Sequence, residues 1–367
     1  MPTSFRNHLL AFIFLAAVTV SCAQAAFISV TFFGDSISET GNVLSLTTAF
    51  SPPPFPDFPA APGRFSNGPI WTETLASALG FPTASGPSNL LFDGSAVIPI
   101  GPLGGQNFSF GGARTGLGGS ATPTTGLLGQ LVAWNGAPFG GALTRAADPN
   151  GLYVVMAGTN DIRDFRSGTP GAFTPIQAAT NVINSVGLLA QAGAHHFLIS
   201  NVPNLGRTPE AGALGLVSES TSASLAFNAA LAAGLGALDA SFFAATGVDL
   251  DIRSLDFFGL LDSVLDDAVN HGGAQFGITN VTTPCITPGP VSNQFFAPDA
   301  IAVACDVAVF SDPLHPAAVV HRLLGDTAAE VVGVAQVSEP GTLALLACLL
   351  LLSGRMRRAP SRSPFLC

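Results

Sequence analysis

Short, mostly apolar runs alternate along this chain with longer segments of helical character. The apolar runs predict strands that are buried on both faces of a sheet, at residues 28–33, 151–157 and 196–200. The longer segments predict helices at residues 69–79, 174–192, 218–245 and 316–332. Strands that alternate with helices are typical of a parallel sheet covered by helices. We therefore predict an α/β fold with a single main body.

A glycine or a polar residue follows each predicted strand. Ser36 follows the first strand within Gly-Asp-Ser-Ile, Gly112 follows a short strand predicted at 107–110, and Asn160 follows the strand that ends at Ala157. Because the carboxyl ends of parallel strands share one edge, we expect these groups to converge. A serine hydroxyl there can be a nucleophile, and neutral N–H donors can stabilise an oxyanion. Taken by itself, Gly-Asp-Ser could equally be a turn that caps the next helix.

A serine nucleophile needs a base, and His315 is the strongest of the six histidines. Asp312 stands three residues ahead of it, and Pro316 follows it. Across a tight turn the carboxylate could accept the imidazole Nδ1–H, which leaves Nε2 free to take the serine proton. An N-capping aspartate beside an incidental histidine is the alternative. The other histidines lie in the leader, at the start of a strand, in a predicted loop and inside the last helix: His8, His195, His196, His271 and His321.

The charge balance argues against nucleic acid as a partner. Only 10% of the residues are charged, and all 13 basic residues are arginine. Five arginines and one glutamate lie in the terminal segments, which leaves 8 basic residues against 22 acidic ones, near −14, in the body. Such a body repels phosphate backbones and anionic membrane surfaces alike. The 367 residues, 48% of them hydrophobic, are enough for a sizeable core.

Residues 1–25 predict a secretory signal peptide. A basic residue precedes the apolar run at 9–20, and Ala23 and Ala25 occupy the small-residue positions before the cleavage site. The apolar run is too short for a comfortable membrane span. Lipidation at Cys22, after Val-Ser, is an alternative interpretation. In either case the sequence predicts an exported body.

The last segment, residues 336–367, predicts a processed tail. Ser-Glu-Pro at 338–340 precedes an apolar run at 342–352, and Arg-Met-Arg-Arg follows it. The arginines should stay on the cytoplasmic side while the short apolar run holds the tail in a membrane. The layout resembles the PEP-CTERM sorting tail of Gram-negative bacteria, with serine where the first proline is usual. That resemblance implies an inner-membrane processing protease as a partner, and a plain anchor or a buried helix is the alternative.

Four blocks of the sequence resemble, in order, those of the GDSL esterase/lipase family, also called SGNH hydrolases. The blocks are Gly-Asp-Ser-Ile at 34–37, Gly112, Gly-Thr-Asn-Asp at 158–161 and Asp312-x-x-His315. Runs between the blocks, at 63–71 and 201–209, are similar to those of its secreted lipase and phospholipase branch. The resemblance implies a flavodoxin-like three-layer α/β/α sandwich with a central parallel sheet over a hydrolase domain at 26–335. It also implies a serine hydrolase without metal or cofactor.

The resemblance assigns each site residue a role in cleaving an acyl ester. Ser36 is then the nucleophile, His315 the base and Asp312 the residue that orients the base. The oxyanion donors are the Ser36 N–H, the Gly112 N–H and the Asn160 side chain. Gly111 is an alternative donor because two glycines adjoin, and Gly112 is preferred because it aligns with the family's block.

Two other functions stay open beside a lipid esterase. A surface or matrix protein could keep the fold as a scaffold without catalysis, since sorting to the exterior suits structural proteins too. An O-deacetylase of acetylated polysaccharides would use the same site on a smaller acyl group. Every catalytic position carries the required residue, which favours an enzyme.

Cys285 and Cys305 are the two cysteines of the predicted mature body. Two cysteines in an exported body should pair, and the bridge would close a loop directly ahead of Asp312 and His315. Two buried free thiols are the alternative.

Overall fold

The structure is a computed structural model that describes residues 27–57, 60–287, 300–301 and 303–334. The chain divides into two units after Val334, and all described residues belong to the first. The predicted signal peptide at 1–25 and the predicted tail at 336–367 lie outside the described residues. Both stay predictions, as do the limits of the hydrolase domain.

Strands and helices alternate along the described chain. The strands are β1 Ser29–Gly34, β2 Leu90–Phe92, β3 Val97–Pro99, β4 Gly151–Met156, β5 His196–Ser200, β6 Asp251–Leu255, β7 Ile286–Thr287 and β8 Ala300–Ile301. The α-helices are α1 Asn42–Phe50, α2 Trp71–Ala78, α3 Leu127–Asn135, α4 Thr159–Arg166, α5 Pro175–Gln191, α6 Pro209–Leu214, α7 Val217–Thr246, α8 Phe257–His271 and α9 Ala318–Val331. The predicted strands therefore correspond to β1, β4 and β5, and the predicted helices to α2, α5, α7 and α9.

The central sheet contains four parallel strands in the order β1-β4-β5-β6. Side chains of a strand alternate between the two faces of a sheet. Phe32 and Val154 accordingly pack with α2, α8 and α9 on one face. Phe33 and Val155 pack with α3, α5 and α7 on the other. The three layers confirm the predicted α/β/α sandwich.

The segment predicted as a strand at 107–110 is irregular but runs along the free edge of β1. The Phe108 N–H donates to the Phe32 carbonyl (2.8 Å), and the Phe110 N–H donates to the Gly34 carbonyl (3.1 Å). Only isolated bridges form, both at Asn107, whose own side chain accepts the backbone N–H two residues on (3.0 Å). Such a local side-chain bond competes with a regular strand ladder. The segment nevertheless delivers the following glycines to the carboxyl end of β1.

Two predicted local features differ from the structure. His271 was expected in a loop, but it is the last residue of α8, and Gly272 ends the helix with φ 62°. A glycine adopts that left-handed conformation without a Cβ clash, so the helix continues to the residue before it. The last helix begins at Ala318 instead of Pro316, because Pro316 forms a bridge with Phe310.

Helix α7 is 30 residues long. Among the described residues it is the one helix that is long and apolar enough to cross a membrane by length and composition, and its most apolar window of 18 residues has a mean hydropathy of 1.4. Its residues Phe227, Leu231 and Leu235 are buried and belong to the core on the α5 side of the sheet. We therefore treat α7 as a helix of the sandwich.

A disulfide joins Cys285 and Cys305, whose Cα atoms lie 5.1 Å apart. Next to it, the Cys285 N–H donates to the Phe310 carbonyl (3.0 Å), and the Ile286 N–H donates to the Ser311 carbonyl (2.8 Å). The bridged segment thus supports the backbone directly before Asp312. Formation of this bond in exported protein stays a prediction.

Candidate active site

Ser36 lies just beyond the carboxyl end of β1, at the edge of the central sheet. Gln130 of α3 fixes the strand end, because its side chain donates to the Gly34 carbonyl (2.7 Å) and accepts the Gly34 N–H (2.9 Å). A Cβ at Gly34 would come within 2.4 Å of the Met156 carbonyl oxygen. Only glycine therefore allows β1 to end this close to β4, and that ending presents the serine at the sheet edge.

His315 stands between Ser36 and Asp312. Its Nε2 lies 2.8 Å from the Ser36 Oγ, and its Nδ1 lies 2.6 Å from the Asp312 Oδ2. The second carboxylate oxygen of Asp312 accepts the N–H groups of Leu314 and His315, each at 2.7 Å. Those two bonds fold residues 312–315 into the tight turn that their spacing predicts. The arrangement can pass the serine proton to the imidazole while the carboxylate holds the Nδ1–H.

The two adjacent glycines differ in what their N–H groups bind. The Gly111 N–H donates to the Glu39 carboxylate. The Gly112 N–H and the Ser36 N–H donate to no acceptor within the part of the chain that the structure describes. Gly112 also has φ 74°, and a Cβ there would lie 2.6 Å from the Ser120 Cβ. The geometry therefore favours Gly112 over Gly111 as a donor to a bound oxyanion.

Glu39 is a residue of the site that the sequence analysis missed. Its carboxylate is fully buried and accepts the N–H groups of Gly111 and of Val43, in the first turn of α1. Burial raises its pKa to about 8, against the opposing effect of the two N–H bonds. The one available signal was its position three residues after Ser36, within the same strand-to-helix turn.

Asn160 is the second residue of α4, which begins after Gly158 with φ 129°. Its side-chain Nδ2 donates to the Ala113 carbonyl (3.0 Å), and its Oδ1 accepts from the Arg163 Nη1 (3.3 Å). One N–H of the amide is thus held by the backbone beside Gly112, and the other is available for a ligand.

Two buried aspartates connect the elements around the site. Asp35 accepts the Ile37 N–H (3.1 Å) and the Thr159 hydroxyl, which ties the end of β1 to α4. Burial raises its pKa, and the Thr159 hydrogen bond opposes that rise. Asp161 accepts the N–H (2.9 Å) and the hydroxyl (3.0 Å) of Thr115, and burial raises its pKa to about 6. These bonds tie α4 to the end of β1 and to the segment that follows 107–110, and neither aspartate lines the cavity.

A cavity of about 450 Å³ opens at this site. Its polar end contains the candidate residues of all four sequence blocks: Ser36, Gly112, Asn160 and His315. Its wall is largely apolar and is formed by α1 and by the proline-rich loop after it: Val43, Leu46, Phe50, Phe55 and Phe65. The Phe65 ring lies 5.2 Å from the His315 ring and 5.5 Å from the Phe55 ring. A substrate held here would place an apolar group along α1 and a reactive carbonyl beside Ser36.

The other described histidines lie away from the serine. His196 pairs with Asp251 (3.0 Å) at the amino ends of β5 and β6, the opposite edge of the sheet. His321 is buried within α9, and neither ring nitrogen has a hydrogen-bond partner among the described residues. Burial, together with the charge of His315, lowers the pKa of His321 to about 3.

The sequence profile described as GDSL-like Lipase/Acylhydrolase matches residues 30–328. The chain belongs to this family. That membership confirms the predicted resemblance to the GDSL esterase/lipase family and the prediction of an ester hydrolase.

Individual relatives are distant but cover most of the chain. One is the GDSL esterase/lipase EXL2 of Arabidopsis thaliana, 26% identical over 340 residues, which are 80% of this chain and 84% of that protein. Another is the phosphatidylcholine-sterol acyltransferase of Aeromonas hydrophila, 25% identical over 362 residues, with coverage of 86% and 93%. A solved carbohydrate acetylesterase of Sinorhizobium meliloti, Est24, is 17% identical with a TM-score of 0.37 and covers 83% of this chain and 97% of its own.

Proposed function

We propose that this protein is an exported serine carboxylic-ester hydrolase that forms an acyl-enzyme on Ser36. The observation that carries the proposal is the connected set Asp312, His315 and Ser36, with contacts of 2.6 and 2.8 Å, at the end of an apolar cavity. Membership of the GDSL lipase family supports the same chemistry. A scaffold without activity would have no need to keep these three groups in contact.

The reaction follows from the positions of the hydrogen-bonded atoms. The Ser36 Oγ attacks the ester carbonyl carbon while the His315 Nε2 takes its proton, and Asp312 stabilises the imidazolium that results. The imidazolium then protonates the leaving alcohol, and the ester C–O bond breaks. In the second half water attacks the acyl-enzyme carbonyl carbon while the His315 Nε2 takes its proton. The imidazolium then returns that proton to the Ser36 Oγ as the bond between Oγ and the acyl carbon breaks, which releases the acid and regenerates the serine.

Three neutral donors are proposed to stabilise the oxyanion of each tetrahedral intermediate. They are the N–H groups of Ser36 and Gly112 and the Nδ2 amide of Asn160. All three residues line the same cavity, and the two backbone N–H groups lack acceptors within the described residues. Donors that are fixed before reaction stabilise the developing charge without reorganisation.

We further propose an acyl ester of a lipid as the substrate. The cavity of about 450 Å³ has a wall of aliphatic and phenylalanine side chains, and an acetyl group would leave most of that wall uncovered. The names of the two relatives, an esterase/lipase and a phosphatidylcholine-sterol acyltransferase, agree with acyl chemistry on lipids. An acetylated saccharide is the competing substrate, and the test below separates the two.

Export and tail processing are proposed from the sequence at 1–25 and 336–367. The apolar run at 342–352 is shorter than the roughly 20 residues that a membrane-spanning helix needs, so it suits a transient hold. Intact-mass measurement on protein from the native host tests this. A mature form from about residue 26 to about 340 supports processing, whereas a form that still ends at Cys367 favours a tethered esterase.

A fluorophosphonate probe with an acyl-ester panel tests the activity itself. The exported body should be labelled once, and Ser36→Ala should remove both labelling and hydrolysis, while the exposed Ser95→Ala serves as the matched control. The panel extends from acetyl to palmitoyl p-nitrophenyl esters and adds phospholipid and acetylated polysaccharide. Wild-type protein that neither labels nor turns over any ester would support the scaffold, and activity confined to acetyl groups would support the deacetylase.

A further inference from the structure

Arg163 contacts the candidate oxyanion donor Asn160 from one turn further along α4. Its Nη1 donates to the Asn160 Oδ1 at 3.3 Å. Its other nitrogens form a two-point ion pair with Glu210 of α6, Nε to Oε2 at 3.1 Å and Nη2 to Oε1 at 2.5 Å. Two-point pairing fixes the guanidinium plane, which a single contact would leave free to rotate.

Glu210 also contacts the other half of the site through its backbone. It lies in the first turn of α6, where N–H groups have no partner inside the helix. Its N–H donates to the carbonyl of Pro313 at 2.9 Å. Pro313 lies within the turn that carries Asp312 and His315. One residue therefore links the base-bearing turn to Arg163, and through Arg163 to Asn160.

Arg166 forms a second ion pair with Glu210. Its side chain is 1% exposed, its Nη2 donates to the Glu210 carboxylate, and its Nη1 donates to the Ser220 hydroxyl at 2.8 Å. Burial alone would raise the pKa of Glu210, but Arg163 and Arg166 together outweigh it and hold that pKa below its ordinary value. The carboxylate thus stays ionised and keeps both arginines in position.

We propose that Arg163 and Glu210 are positioning residues that fix the amide orientation of Asn160 relative to the His315 turn. An asparagine amide has two ends of nearly equal size, and a rotated amide would present its carbonyl oxygen to the oxyanion. A cationic donor on Oδ1 prevents that rotation and further polarises the Nδ2–H bonds. This inference rests on the proposed function, because it assigns Arg163 and Glu210 an effect on the same transition state.

A double-mutant cycle between Arg163 and Asn160 tests the inference. With Asn160 intact, Arg163→Gln should lower kcat about 10-fold with little change in KM, the effect of losing one charge-assisted hydrogen bond. In the Asn160→Ala background the same substitution should change kcat less than about 2-fold, since its effect is transmitted through the missing amide. Glu210→Gln keeps the backbone hydrogen bond to Pro313. It should lower kcat less than Arg163→Gln does, and its effect should likewise depend on the presence of the Asn160 side chain.

Arg253→Gln is the matched control. Arg253 also forms a two-point pair with an aspartate, Asp251 (2.9 Å for both contacts), at the amino end of the sheet away from Ser36. Its loss should leave kcat unchanged. Arg163→Lys, which keeps the charge but not the two-point fork, should recover part of the activity. If Arg163→Gln shows no cooperative thermal unfolding transition, and so is not folded, the cycle is run with Glu210→Gln instead.

Two results would overturn the inference. One is an undiminished kcat in folded Arg163→Gln. The other is a decrease in kcat of equal size with and without the Asn160 side chain, because a merely structural ion pair would act independently of that side chain. The Ser36→Ala variant keeps these outcomes separate from the proposed function. Activity that survives in Ser36→Ala rejects the function itself, whereas an inactive Ser36→Ala beside a neutral Arg163→Gln rejects only the positioning role.

Discussion

His315 and Ser36 are 279 positions apart in the chain, yet the imidazole Nε2 and the serine Oγ are 2.8 Å apart. Each side of that contact is fixed by its own hydrogen bonds. The serine follows a strand end that Gln130 clamps, and the histidine sits in a turn closed by the Asp312 carboxylate. Ser66 adds a tertiary link, because its hydroxyl donates to the Pro316 carbonyl at 2.9 Å. The two halves therefore meet before any substrate arrives.

The acid–base pair gives the first prediction. His315→Ala should lower kcat by several orders of magnitude, because no other group within the described residues is hydrogen-bonded to the Ser36 hydroxyl. Asp312→Asn should lower kcat by about 10,000-fold while leaving the fold intact, since the amide cannot favour the required imidazole tautomer. Steady-state hydrolysis of a p-nitrophenyl ester measures both. His271→Ala, at the exposed end of α8, is the control, and an equally inactive His271 variant would contradict the choice of base.

The oxyanion donor Asn160 gives the second prediction. Asn160→Ala should lower kcat by about 100-fold or more with KM little changed, because its N–H is needed chiefly when negative charge develops. Asn181→Ala, a partly buried side chain whose amide donates to the Thr115 hydroxyl (3.2 Å), is a control from α5. The kinetic parameters of both variants are compared on one ester. A rise in KM at constant kcat would instead mean that Asn160 binds the ground state of the substrate.

The elements that could be predicted are those whose information is local. β1, β4 and β5 are continuous apolar runs, and the strand-end residues Ser36, Gly112 and Asn160 meet because parallel strands share an edge. The turn at 312–315 is likewise encoded by its own four residues.

The residues that were missed depend on partners far along the chain. Glu39 binds Gly111 across 72 positions, and Arg163 binds Glu210 across 47. No periodic pattern in the sequence reveals that a carboxylate will be buried and will accept a hydrogen bond from a backbone N–H far along the chain, as Glu39 does from Gly111. The irregular backbone at 107–110 has a different, local cause, because the Asn107 side chain there accepts the backbone N–H of Ser109.

The disulfide gives the third prediction. Non-reducing mass spectrometry of exported protein should show a peptide pair joined through Cys285 and Cys305. Removing the bridge with Cys285→Ala/Cys305→Ala should lower the free energy of unfolding by about 3 kcal/mol, the chain-entropy value for a loop of about 20 residues. Activity should fall too, because the bridged segment hydrogen-bonds to Phe310 and Ser311 just before the base. Two thiols that alkylate freely in native protein would reject the bridge.

His321 gives the fourth prediction, a pH dependence of stability. Its pKa is lowered from 6.5 to about 3 in the folded protein, so below pH 6.5 the unfolded chain binds a proton that the folded chain refuses. Protonation of His321 therefore does not affect the free energy of unfolding above about pH 6.5, and it lowers that free energy progressively as the pH falls towards 3. Between pH 7.5 and 4.5 the loss should be about 2 to 3 kcal/mol.

Urea unfolding of wild type and His321→Leu at several pH values measures that loss. The variant should lose less stability on acidification, by the amount that His321 contributes, whatever its stability at neutral pH. His271→Leu, which removes an exposed histidine at the end of α8, is measured beside it as the control for the loss of a histidine. Parallel acid slopes in wild type and His321→Leu would mean that His321 is not a source of the acid sensitivity.

The apolar wall of the cavity gives the fifth prediction, a change in acyl-chain preference. Leu46 lies on α1, is 9% exposed and lines the cavity beside Val43. Leu46→Trp should shorten the space along α1, and each methylene that no longer packs loses about 0.8 kcal/mol, or roughly fourfold in kcat/KM. The kcat/KM for acetyl esters should therefore change less than about 2-fold, while that for palmitoyl esters falls at least 10-fold.

Phe50→Ala tests the outer end of the same wall. Phe50 lines the cavity and is 63% exposed, so its removal should weaken only the longest acyl chains and leave acetyl and butyryl esters unaffected. Leu128→Trp is the control, because this exposed residue of α3 does not line the cavity. A graded effect that grows with chain length in Leu46→Trp, and is restricted to long chains in Phe50→Ala, would locate the acyl chain along α1. An equal loss for every ester in both variants would mean that the acyl chain binds elsewhere, since an occupied wall must discriminate by length.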